Sequence, residues 1–235
     1  MIEAERIHSV KDVIERGLFT NLADNPDLPF IPQLYGNWCG YAGLSMLLQH
    51  RGFPIKQQEI FFRSNPQEAK DLDLPLYSSH TTSGPIFSHL AAIAKDIVGD
   101  EYKVGLFHSG KDQDILTSKY LQEGVYSAYA KKGLTPHDIL KTFLRADNPA
   151  MIRLMKHNVV IPGFGKGMYQ IFNPLDFGPH FQPEGEIDQE WRSDDGMQYI
   201  NEETVAVNGV LPVTSSKYLM LVIYPDPKLH AAKKI

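Results

Sequence analysis

Gln33-Leu34-Tyr35-Gly36-Asn37-Trp38-Cys39-Gly40-Tyr41-Ala42-Gly43-Leu44-Ser45-Met46-Leu47-Leu48 holds the only cysteine of a 235-residue chain, at the junction of a Pro-rich loop and an apolar helix. Three prolines between Asn25 and Pro32 keep the incoming chain non-helical. Beyond them Tyr41, Leu44, Leu47 and Leu48 recur at helical spacing and predict a helix from Trp38 to about His50, which Arg51-Gly52 and Pro54 end. Cys39 therefore stands at a helix N-terminus, where exposed backbone N–H groups and the positive end of the dipole stabilise a thiolate. Gln33, six residues upstream, offers an uncharged amide donor able to fold back and hold a developing oxyanion. Free cysteine is also among the most buried residue types, so position alone does not separate a nucleophile from a small core residue.

Working outward, Ser9 to Gly17 reads as a short capped helix, Ile55 to Arg63 as a helix, and Pro66 to Pro85 as a long polar excursion. A helix resumes from Pro85 to Val98 with Gly99 after its end, followed by a strand over Tyr102 to Phe107. Asp114 to about Lys132 and Thr135 to Arg145 read as two further helices, the second opened by a Thr-Pro cap. After Pro149 the period changes to two. Ala150 to Leu154, His157 to Phe164 and Met168 to Phe172 are strand-like, and Gly165-Lys166-Gly167 is a hairpin turn between the last two. Asp176 to Gln198, acidic and rich in Gly and Pro, reads as a surface excursion, and Thr204 to Val213 and Lys217 to Tyr224 as closing strands. Helices first and antiparallel strands second define an α+β domain, and the length suits one domain over 1–235.

A helix-borne thiol needs a base, and the base needs a group to orient it. Under period two, His157, Val159 and Ile161 point one way, as do Tyr169, Ile171 and Asn173 on the returning strand, so the hairpin sets the imidazole beside the Asn173 amide. Asp176 is the alternative orienting group. Each residue also has an ordinary reading: His157 as a half-buried strand histidine, Asn173 before Pro174 as a turn initiator.

The Gln-x5-Cys-Gly spacing, the aromatic before the cysteine and the small residues one turn later resemble the nucleophile segment of papain-like cysteine peptidases. Cys-Gly-Tyr-Ala-Gly-Leu-Ser-Met-Leu-Leu followed by Arg51-Gly52 is most similar to their bacterial C39-like branch. "His-x-Val-Val-x-x-Gly, then Ile-x-Asn-Pro" resembles the same branch, although its members more often carry Asp where this chain has Asn173. The resemblance implies a papain-like fold with the nucleophile helix packed on the sheet. It also implies a catalytic set of Cys39, His157, Asn173 and Gln33, amide hydrolysis through a thioester, a protein or peptide substrate, and no cofactor. Glutamine deamidation, isopeptide cleavage and acyl transfer begin with the same thioester, a bacterial effector role is compatible with it, and a fold retained as an inactive binding module is the reading from another class.

A net charge of −5 with dispersed basic residues argues against nucleic acid as the main partner. The Lys-rich end, Lys228 to Ile235, reads as a solvated tail. One cysteine cannot form an intramolecular disulfide, and the first residues lack a secretory pattern, so a cytoplasmic location or signal-independent export is expected. The longest apolar run, Tyr218 to Tyr224, is too short to cross a bilayer. His80, His89, His108 and His137 lack ligand spacing, so no metal site is expected and solvated or capping roles are assigned to them. Asp176 to Gln198, with seven carboxylates against Arg192, is expected to border the active-site cleft and to favour basic substrate segments.

Overall fold

A computed structural model describes residues 28–36, 38–64, 87–107, 135–154, 157–176, 180–193, 218–226 and 229. In chain order these form α1 (Cys39–His50), α2 (Gln57–Ser64), α3 (Phe87–Val98), β1 (Tyr102–Phe107), α4 (Pro136–Arg145), β2 (Ala150–Leu154), β3 (His157–Gly165), β4 (Met168–Phe172), β5 (His180–Pro183), α5 (Glu184–Ser193) and β6 (Met220–Pro225). The expected helix over Ser9 to Gly17, the excursion Pro66 to Pro85, the helix Asp114 to Lys132 and the strand Thr204 to Val213 lie outside the described residues.

The six strands make one antiparallel sheet in the order β1-β6-β2-β3-β4-β5. Its two faces carry separate cores. Met151, Val160, Leu221 and Ile223 pack with α1, α2 and α3, while Ile152, Val159, Ile171 and Val222 pack with Ile139, Leu140, Ile187 and Trp191 of α4 and α5. Helices cover both faces, which is why β2, β6 and the start of β3 read as continuous apolar runs. The fold class is α+β as expected.

α1 lies directly on β2 and β3 because Gly43, one turn past Cys39, has no side chain: a Cβ there would fall 2.6 Å from Met151 Sδ. At its other end Arg51 closes the helix onto the sheet, its Nε donating to Ile223 O at 3.1 Å and its Nη2 to Asp147 O at 2.9 Å and to Asn148 Oδ1. α4 starts as its sequence predicts, with Thr135 and Asp138 forming a reciprocal capping box.

Two expectations fail here. The stretch expected to be a surface excursion carries β5, paired with β4, and α5. Ile187 and Trp191, four residues apart, are both fully buried, and the Trp191 indole N–H donates to Leu219 O at 3.0 Å. One helical stripe of two large residues thus anchors a segment whose other positions are acidic. His89 and His137 are buried, not solvated. His137 sits between α4, α5 and β4: its Nε2–H donates to Asp188 Oδ1 at 3.1 Å and its Nδ1 accepts from the Tyr169 hydroxyl at 3.0 Å. Tyr218 donates to the same Asp188 oxygen at 3.1 Å, and burial pushes the Tyr169 phenol above its ordinary range. This network joins α4 and α5 through polar groups that burial would otherwise leave unsatisfied. His80 and His108 lie outside the described residues.

Candidate active site

Cys39 is the first residue of α1, and Trp38 at the N-cap makes no side-chain cap, so the helix end is left for the sulfur. The end is held by an aromatic cluster instead. Trp38 stacks on Phe61 of α2 at 4.6 Å between ring centroids and meets Tyr35 and Tyr41 edge-on. Cys39 is 6% exposed. Its sulfur accepts the backbone N–H of Asn158 and a hydrogen bond from His157.

His157 begins β3 at the end of the sheet and is half-buried. Its Nε2–H donates to Asn173 Oδ1 at 2.5 Å, which leaves the other ring nitrogen for the Cys39 hydrogen bond. Asn173 Oδ1 also accepts the Leu175 N–H at 3.0 Å, fixing the amide with its oxygen toward the ring. Asp176, the alternative orienting group, instead pairs with His180 Nδ1 at 3.1 Å and reaches His157 only through its charge.

Bringing His157 and Asn173 to one face depends on a β-bulge. From the turn, Gly165 pairs with Met168 and Gly163 with Gln170, but Val160 pairs with Phe172, so three steps on β3 match two on β4. Pro162 lies inside that interval; having no N–H it cannot donate to the ladder, and bulges are where a strand accommodates proline.

The electrostatics follow from this geometry. Burial pushes the Cys39 thiol up, but the His157 hydrogen bond and charge, the Asn158 N–H and the Arg153 guanidinium together bring it below the ordinary thiol range. Burial pulls His157 down, and the Cys39 contact, the Asn173 bond and the Asp176 charge outweigh it, so the imidazole rises above its usual value. Each shift favours thiolate facing imidazolium.

Gln33 is tied to the same end of the sheet through its backbone, whose N–H donates to Pro174 O at 2.9 Å. Its side-chain Nε2 donates to Tyr35 O at 2.7 Å, and among the described residues no hydrogen bond joins Gln33 to Cys39. Gln57 of α2 clamps this loop on both sides of Gln33, its Oε1 accepting the Leu34 N–H at 3.1 Å and its Nε2 donating to Pro32 O at 2.8 Å. Gln57 was not singled out in the sequence, and neither were Arg153 and Asn158, which stand opposite each other on β2 and β3 facing α1. A lone charge in the apolar Ala-Met-Ile-Arg-Leu run was the available signal for Arg153; a buried helix glutamine gives none.

Among the described residues no group of three or more His, Cys, Asp or Glu is arranged to hold a metal ion, and no helix is long and apolar enough to cross a membrane.

No protein-family model matches this sequence, and a search of curated proteins finds no match. Among solved structures, one described as a C39-like peptidase from Bacillus anthracis superposes with a TM-score of 0.50 at 15% identity, over 85% of this chain and 96% of that one. A double-glycine-motif protease from an AMS/PCAT transporter, solved with its leader peptide, gives 0.45 at 16% identity over 84% and 91% of the two chains. The peptidase domain of Streptococcus ComA, a bifunctional ABC transporter of a quorum-sensing pathway, gives 0.45 at 11% identity over 85% and 99%. The chain shares the fold of the C39-like structure, the papain-like α+β architecture that its sequence predicts.

Proposed function

We propose that this chain is a cysteine hydrolase that cleaves amide bonds, with peptide as its substrate, through a Cys39-His157-Asn173 triad on a single domain. The observation that carries the reading is the imidazole bridged between the Cys39 sulfur and the Asn173 amide, with sulfur and ring shifted toward the ion pair.

The Cys39 thiolate attacks the amide carbonyl carbon, forming a C–S bond and moving the carbonyl electron pair onto oxygen. The Cys39 backbone N–H and the second N–H of the Gln33 amide, the first being used on Tyr35 O, are the donors assigned to that oxyanion. As the oxyanion collapses the C–N bond breaks, and the protonated His157 gives its proton to the departing amine. Water then attacks the thioester, losing a proton to His157, and the acid product leaves with Cys39 restored as thiolate. Asn173 holds the ring in the tautomer that keeps its free nitrogen on the sulfur.

The test is intact mass after exposure to a peptide-like electrophile, alongside hydrolysis of a mixed peptide library. A single adduct on Cys39, slowed about 10²–10⁴-fold in His157→Ala, is expected. Equal labelling and turnover in His157→Ala would overturn the assignment.

A further inference from the structure

A cavity of about 320 Å³ touches His157 and Asn173 but not Cys39. Its volume falls at the lower end of the roughly 300–1,000 Å³ of ligand pockets. The wall is apolar, built by Leu154, Val159 and Ile171 from the sheet face opposite α1. The remaining boundary is polar and carries the carboxylates of Asp176 and Glu190 with no lysine or arginine among its lining residues. Glu190 is positioned by the Gln182 amide, whose Nε2 donates to Glu190 Oε1 at 2.8 Å. His180 does not neutralise the pair: burial holds its imidazole below the usual value against the pull of Asp176 and Glu190.

The sulfur approaches His157 from the α1 side, so the cavity lies along the ring on the side away from Cys39. Over that side passes the amine half of a scissile amide, because the same imidazole must protonate it. Resting on the hydrolase reading above, we propose that this cavity is the leaving-group subsite and that it takes a long basic side chain, with arginine or lysine as the residue on the amine side of the cleaved bond. The apolar wall covers the methylene stem and the carboxylates meet the cationic head, the division that such amphipathic side chains require. Asp176 and Glu190 are the specificity-determining residues.

Partitioning of the thioester tests this without knowledge of the natural substrate. The enzyme is acylated with p-nitrophenyl acetate, and amines compete with water for the acetyl group. Their α-amine nitrogen attacks the thioester carbonyl, a C–N bond replaces the C–S bond, and His157 takes the amine proton. By microscopic reversibility the acceptor occupies the leaving-group subsite. Argininamide, leucinamide and the α-amide of glutamate present the same nucleophile, and the ratio of acetylated amine to acetate is internal to each enzyme, so altered acylation cancels.

Argininamide should exceed leucinamide by about fivefold, with the glutamate amide below both, and the preference should shrink with added salt. Glu190→Gln should lower it to about twofold and Glu190→Lys should invert it. Acylation on Cys39 with no preference for argininamide, or a preference that Glu190→Lys leaves unchanged, overturns the subsite alone. Absence of a nitrophenol burst overturns the hydrolase reading and the subsite with it.

Discussion

His89 gives this protein a specific sensitivity to acid. It is 1% exposed on α3, and neither ring nitrogen has a hydrogen-bond partner. Burial pulls its pKa from 6.5 down to about 4, so the folded ring stays neutral where the unfolded ring takes up a proton. The unfolded state binds more protons between those two values, and stability is lost as the pH falls through that window. At about 1.4 kcal/mol per pH unit, the loss reaches about 2 kcal/mol by pH 5 and about 3 kcal/mol below pH 4. Against a total of about 5–15 kcal/mol for a typical domain, that is a substantial share.

Urea titrations of the parent and of His89→Leu at pH 7.5 and pH 5.0 isolate this contribution. Carboxylates that also lose favourable interactions in acid are common to both proteins, and any packing change from the substitution is common to both pH values. The difference of differences should be about 2 kcal/mol in favour of the variant at pH 5.0. Equal acid losses in the two proteins, within about 0.5 kcal/mol, a typical additivity error, would refute the reasoning.

Iodoacetamide alkylation of Cys39 should remain fast well below pH 8.5, where an ordinary thiol of about that pKa slows, and His157→Ala should return the profile to the ordinary range. Arg153→Met should move the same profile upward without abolishing labelling, because it removes one of the weaker charges favouring the thiolate. Asn173→Ala should reduce kcat and leave measurable turnover, whereas His157→Ala should abolish it, since accepting the proton matters more than orienting the ring. Gly43→Ala should destabilise the fold by about 1–2 kcal/mol although alanine favours helix, because its Cβ meets Met151 Sδ; pairing it with Met151→Ala should cost less than the sum of the two single changes in a melting experiment.

The legible parts of the sequence were those whose signal is local. α1, β1, β2 and β4 follow from periodicity and breakers, and Thr135-Pro136 marks the start of α4 by cap chemistry alone. α5 was hidden because its core contact is carried by Ile187 and Trp191 within a run of acids and glycine, so composition outweighed spacing. Gln57 and Asn158 act on Gln33's loop and on Cys39 through contacts made only when distant segments meet. Nothing in the residues flanking either one records that meeting.

The His157-Asn173 pair shows how a parity argument can reach the right residues through incomplete geometry. An unbroken register through Gly165 and Met168 would place Val160 opposite Asn173, turning the amide toward α1 while His157 faces the other way. The extra residue on β3 moves Asn173 opposite Val159, onto the face that His157 shares, and the two become diagonal neighbours. Counting odd positions on both strands assumed that outcome without supplying its cause. Pro162, which interrupts the ladder within the bulge, was the visible mark of it in the sequence. The bulge therefore does chemical work: it sets which side chain meets the imidazole on the side away from the sulfur. It follows that changes to the length of β3 between Val160 and Gly163 bear on ring orientation more directly than substitutions at its apolar positions.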